Sequence, residues 1–127
     1  INAPLNKVWT YFTEPQYITQ WSFASDDWHT PRADNDLRVE GRFSSRMEAK
    51  DGSFGFDFGG VYTEVNRHDF IAYVLDDGRK VSVQMESDGN TTQLTQNFEA
   101  EQQNPIEMQQ GGWQAILNNF KKFVENN

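Results

Sequence analysis

Three Asp-Gly dipeptides, Asp51-Gly52, Asp77-Gly78 and Asp88-Gly89, constrain the fold of this chain more than any other feature. Asp-Gly supplies the positive φ that tight hairpins require, and each pair is flanked by β-prone runs. The runs occupy residues 41–49, 54–65, 70–75, 79–86 and 91–99, with a further turn at 66–69. That spacing predicts an antiparallel meander. Within it Phe43, Ser45 and Met47 alternate with Arg42, Ser44, Arg46 and Glu48, and Val81, Val83 and Met85 alternate with Lys80, Ser82, Gln84 and Glu86. Leu94, Gln96 and Phe98 repeat the pattern less cleanly. One apolar and one polar face describe a sheet that needs a single cover.

The C-terminal segment supplies the cover. Trp113, Ile116, Leu117, Phe120 and Val124 form an apolar stripe with Phe123 at its edge, and Gln114, Asn118, Lys121, Lys122 and Glu125 fall opposite. A helix of about 20 residues is long enough to cross a sheet. Asn104, Pro105 and Glu107 read as its start: a capping residue, proline at the first helical position and Glu at the third. Gly111-Gly112 lies inside this helix, where each glycine is unfavourable by ~1 kcal/mol relative to Ala. Gly112 falls on the inward face, so it either lets the helix approach the sheet closely or leaves room for something between them. At the other end, Leu5, Val8, Trp9 and Phe12 share a helical face after Pro4, with Asn2 or Ala3 as the expected cap. Glu14-Pro15 interrupts that pattern, and a second short helix is expected from Pro15 to Trp21.

Composition narrows the function classes. With 11 basic and 19 acidic residues the formal charge is −8, which argues against a nucleic-acid groove or an anionic membrane surface. The 127 residues are the usual size of one domain, so residues 1–127 are read as a single unit. Cysteine is absent, which removes disulfides, thiolate catalysis and Cys-based metal sites. No apolar run approaches the ~20 residues of a membrane span, and a soluble cytoplasmic protein is expected. Nor is there a Gly-x-Ser-x-Gly sequence or a phosphate-binding glycine loop, so no catalytic residue or cofactor is assigned. His29 and His68 are the only histidines and share no ligand spacing, so no metal is expected. Asp26, Asp27, Trp28 and His29 are the most suggestive local cluster, but neighbours on a strand alternate faces and cannot all converge. Arg42, Arg46 and Glu48, with Arg38 nearby, read as a cross-strand charge ladder that could also dock an acidic partner.

Ten Phe, four Trp and four Tyr make up 14% of the chain, while hydrophobics total only 36%. Few but large apolar side chains must carry the core, and such side chains also line ligand pockets. Facing residues of the sheet and the last helix give a candidate cavity: Phe43, Met47, Phe56, Phe58, Val61, Val81, Val83 and Met85 against Trp113, Ile116, Leu117 and Phe120, with Trp21 and Trp28 near its open end. Whether Phe56 and Phe58 or Val61, Thr63 and Val65 point inward depends on a bulge expected at Gly59-Gly60.

The order of short motifs resembles one known family. Ile1-Asn2-Ala3-Pro4 with Lys7-Val8-Trp9, Glu14-Pro15 with Gln20-Trp21, Asp36-Leu37-Arg38-Val39 with Gly41-Arg42-Phe43, Asp51-Gly52-Ser53, Gly60-Val61-Tyr62-Thr63-Glu64-Val65, Thr92-Gln93-Leu94-Thr95 and Gly111-Gly112-Trp113 follow one another over nearly the whole chain. This resembles the Aha1-like branch of the START/polyketide-cyclase/birch-allergen (SRPBCC) superfamily, relatives of the activators of the heat-shock protein 90 ATPase. The resemblance implies an α+β helix-grip fold, a curved antiparallel sheet wrapped around the long C-terminal helix with a cavity between them. Two departures stand out. The family usually has Gly-Gly before the Arg-Phe strand, where this chain has Glu40-Gly41. It also has a strand before the Ile-x-Ala-Pro motif, with which this chain opens; without that strand the sheet edge beside the C-terminal strands is expected to be exposed.

Three functions follow as expectations. The first is binding of a small apolar or aromatic molecule in the cavity. The second, from the resemblance alone, is interaction with a chaperone as an ATPase activator of the stress response. The third is a cyclase- or hydrolase-type enzyme, for which His29 with Asp26 or Asp27 is the only polar pair the residues offer.

Overall fold

The computed structural model describes residues 1–101 and 105–127. Two short helices, α1 (Leu5–Thr13) and α2 (Pro15–Trp21), precede six strands: β1 (Trp28–Asn35), β2 (Arg42–Ala49), β3 (Gly55–Asn66), β4 (Phe70–Leu75), β5 (Lys80–Asp88) and β6 (Thr91–Phe98). The strands form one antiparallel sheet in chain order, and α3 (Ile106–Asn126) closes the chain. Gly52, Gly78 and Gly89, the glycines of the three Asp-Gly pairs, all have positive φ.

The first strand is absent from the runs read by alternation. Pro31 cannot donate to a ladder, and the β1–β2 register shifts between His29 and Arg32 around it, which is tolerated because β1 is an edge strand. The expected bulge also lies elsewhere. Gly59 and Gly60 stay in register with Ser44 and Phe43, and the shift falls between Tyr62 and Glu64 in the β3–β4 pairing. Gly60 serves close approach: a Cβ there would strike the Val74 carbonyl oxygen. Phe56, Phe58, Gly60 and Tyr62 therefore share the inner face, and Val65 rejoins the core after the bulge.

Helix starts differ by a residue or two from the expected ones. α1 begins at Leu5 with Pro4 as its N-cap, in place of Asn2 or Ala3, and Pro4 makes no side-chain cap bond. α3 begins at Ile106 with Pro105 as its N-cap, so the proline sits one position before the first helical residue; Asn104 lies outside the described residues. At the opposite end of the sheet, the Ile1 amine donates to the Thr92 carbonyl and the Thr92 N–H donates to the Ile1 carbonyl, both at 2.9 Å. Ile1 thus pairs the β6 edge at this one position.

The turn before β2 places Glu40 at φ 69°, where the family resemblance leads one to expect glycine. Its N–H donates to the Tyr62 carbonyl at 2.8 Å, which holds the conformation. Below the C-terminal half of α3 the core is solid. Phe120 and Val124 are fully buried, and Phe120 meets Phe12 at 5.2 Å and Trp21 at 4.7 Å between ring centroids. Helix α1 packs on β5 and β6, where Val83 and Met85 are buried, and α2 packs on β1.

A candidate ligand cavity under the last helix

The N-terminal half of α3 covers a hollow of about 560 Å³, within the range of roughly 300–1,000 Å³ typical of small-molecule sites. From the helix, Met108, Gln109, Gly112, Trp113, Ile116 and Leu117 face it; from the sheet, Trp28, Met47, Phe56, Phe58, Tyr73 and Gln96 do so, with Arg79 from the turn before β5. Phe12, Trp21, Ser22, Ala24 and Ser25 also line it, and Glu101 borders it from the segment after β6.

Gly112 resolves the alternatives posed by its position. A Cβ built there meets nothing within 4 Å, so the glycine leaves space and is not required for close packing. The next residue forms the wall. Trp113 stacks flat on Phe98, with centroids 4.4 Å apart, and meets Phe58 edge-on at 6.1 Å. Around the mouth, Trp28 lies 6.0 Å from both Phe54 and Phe56, of which Phe54 is 62% exposed.

Of the residues expected around a cavity, Trp21, Trp28, Met47, Phe56, Phe58, Trp113, Ile116 and Leu117 border this hollow. Phe43, Val81, Val83, Met85 and Phe120 sit in the filled part of the core, Phe43 wedged 4.9 Å from Tyr73 and 5.3 Å from Tyr62. Val61 stands opposite Arg42 on the outer face, because the register runs through Gly59-Gly60 without a bulge.

The polar part of the wall was not foreseen. Gln96 Nε2 donates to the Tyr73 hydroxyl at 3.3 Å, and Arg79 Nε donates to Asp77 Oδ2 at 2.7 Å. The Gln109 side chain ties α3 to the incoming chain: its Oε1 accepts from the Glu101 N–H at 2.8 Å and its Nε2 donates to the Glu101 carbonyl at 3.1 Å. Burial pushes the phenol of Tyr73 well above the ordinary tyrosine range, so it remains a neutral donor. The Arg79 N–H, with help from the guanidinium, holds the Asp77 carboxyl below the usual carboxylate range. One signal did exist: stepping back by two from Val81 along the inner face of β5 lands on Arg79.

The Asp26 to His29 cluster does not converge on the hollow. Trp28 borders it, whereas His29 lies with Arg46 and Glu48 in a separate polar depression, and Asp26 and Asp27 are exposed in the turn before β1. The outer-face arginines are paired on the surface, Arg42 with Asp76 at 3.0 Å, Arg46 with Glu48 at 3.4 Å and Arg38 with Asp36 at 2.8 Å. Such exposed pairs are worth little individually.

A curled antiparallel sheet gripping a C-terminal helix, with an apolar hollow between them, defines the helix-grip class. Within that class the chain belongs to the family described as "Activator of Hsp90 ATPase homolog 1-like protein", which matches residues 2–125. It is similar to the AHSA1-like protein from Aeromonas hydrophila, whose solution structure superposes with a TM-score of 0.93 at 44% identity, covering 99% of this chain and 88% of that one. A protein from Cytophaga hutchinsonii is 50% identical with a TM-score of 0.85, covering 100% of this chain and 88% of that one. The protein CV1439 from Chromobacterium violaceum, at 22% identity and a TM-score of 0.86 over 98% of this chain and 92% of that one, shares the fold. Among curated proteins, none matches the chain.

Proposed function

We propose that this protein binds a small hydrophobic molecule between the sheet and α3. The observation that carries the reading is the empty space beside Gly112, in a helix where glycine is otherwise unfavourable by ~1 kcal/mol. Aromatic rings and Met47 provide walls that adapt to an apolar guest. Native mass spectrometry of the purified protein, set beside the same sample denatured, tests it, together with a thermal-shift screen of apolar compounds. A bound small molecule or a ligand-dependent rise in melting temperature is expected; a clean apo mass with no compound shifting the melt would refute the reading.

A second reading is favoured by family membership: a chaperone ATPase activator-like role, exerted through the outer surface. Stimulation of the chaperone's ATPase by the added protein would support it, and an unchanged rate at saturating protein would remove it.

A further inference from the structure

We infer that the molecule held in this cavity is a carboxylic acid with an apolar body, and that Arg79 receives its carboxylate with the Tyr73 hydroxyl as a second donor. The inference rests on the cavity reading above and specifies the ligand's chemistry.

Arg79 immediately precedes β5, in phase with Val81 and Val83, so its side chain continues the inner face and borders the hollow. Only 22% of that side chain is exposed. Among the described residues no buried side-chain nitrogen lacks a hydrogen-bond partner, so the donors of Arg79 that carry none reach the solvent of the hollow and are open to whatever enters it. Here one donor is used: Nε bonds Asp77, a carboxylate of its own hairpin that is itself 53% exposed. The two terminal nitrogens have no hydrogen-bond partner among the described residues. They form the planar fork that matches a carboxylate in bidentate fashion.

Tyr73 stands directly opposite Val81 in the β4–β5 register, which puts Arg79 on the diagonal. Diagonal neighbours lie roughly 7–8 Å apart, within reach of long side chains. The Tyr73 oxygen accepts from Gln96, and its own proton has no acceptor among the described residues. Two donors without acceptors therefore share one wall. Glu101 is the one carboxylate bordering the hollow among the described residues, and its main chain is tied to Gln109 on the helix side. A bound acid would place its head on β4 and β5 and lay its body along Phe58, Trp113, Ile116 and Leu117.

The test is calorimetric titration of the intact protein with decanoate, 1-decanol and decylamine, which share one body and differ in the head. Decanoate is expected to bind about tenfold or more tighter than decanol, the usual scale of a charge-assisted hydrogen bond, and decylamine weakest. Arg79→Gln should remove most of the preference of decanoate over decanol, and Arg79→Lys should keep part of it. Equal affinity for decanoate and decanol in the unaltered protein would overturn the inference while leaving the apolar cavity standing. A preference for the acid that survives in a folded Arg79→Gln variant would also overturn it. Binding of none of the three would overturn the inference, and a clean apo mass with no apolar compound shifting the melt would overturn the cavity reading as well. The comparison in the unaltered protein decides even if a variant fails to fold.

Discussion

The ring of Phe98 lies flat against the indole of Trp113, centroids 4.4 Å apart and planes 5° from parallel. Phe98 ends β6 and Trp113 follows the glycine pair of α3, so this stack fixes how far the helix stands from the sheet beside the hollow. Phe58 meets the same indole edge-on, which completes an aromatic corner.

Trp113→Ala removes that corner. The residue is partly exposed, so the loss should be about 2–3 kcal/mol, below the value for a fully buried tryptophan. Trp113→Phe should recover much of it, because a smaller ring can still stack. Urea denaturation of the three proteins checks the order; an alanine variant as stable as the parent would show that the stack does not hold the helix in place.

Substitutions at Gly112 separate space from packing. Gly112→Ala should stabilise the protein by ~1 kcal/mol through helix propensity, since the added methyl meets nothing within 4 Å. Gly112→Trp should also fold but fill the hollow, and so abolish binding of any apolar compound that binds the parent. Thermal melts with and without ligand measure both effects. A strongly destabilised Gly112→Ala variant would mean that helix and sheet are in contact at this point.

The meander, its inner face on β2 and β5 and the stripe of α3 were legible because period two and period 3.6 are strong signals when one side is wet. β1 escaped because Pro31, Arg32 and Asp34 give it no apolar alternation, and its strand character comes from pairing with β2. The cavity wall was legible only in part. Sequence pattern separates inside from outside but cannot divide the inside into packed and hollow, and that division follows from where α1 and α2 fill the space around Phe120. Gln96 is legible on the inner face with Leu94 and Phe98 but not as cavity lining, and Arg79 is not legible there because a polar residue on an inner face breaks the apolar alternation.

Glu40 carries a backbone strain that a single change should relieve. A side chain at φ 69° is disfavoured by roughly 1–2 kcal/mol, part of which glycine returns as lost chain entropy. Glu40→Gly should therefore raise stability by about 0.5–1 kcal/mol, while Gly41→Ala should lower it by more, because a Cβ there would strike the Asp36 carbonyl oxygen. Denaturant midpoints at matched slope are the measurement, and a destabilised Glu40→Gly protein would show that the Glu40 side chain supplies something the turn needs.

Alkaline stability should be governed by two buried phenols. Burial raises Tyr62 and Tyr73 well above the ordinary tyrosine range, and the Tyr62 hydroxyl donates to Asn35 Oδ1 while Tyr73 accepts from Gln96. Their folded-state values exceed their unfolded ones, so the stability they contribute is fully present below pH ~10, where both states are protonated, and is lost as pH rises further. Above that point the unfolded chain binds fewer protons, and each phenol should lower stability by ~1.4 kcal/mol per pH unit. Tyrosinate absorbance followed alongside helix circular dichroism is expected to show these two groups ionising together with unfolding. Tyr73→Phe should reduce the steepness of the alkaline transition by one proton. Ionisation of Tyr62 and Tyr73 while the helix signal is still intact would mean that both phenols lose their protons without unfolding, and would remove them as the source of the alkaline transition.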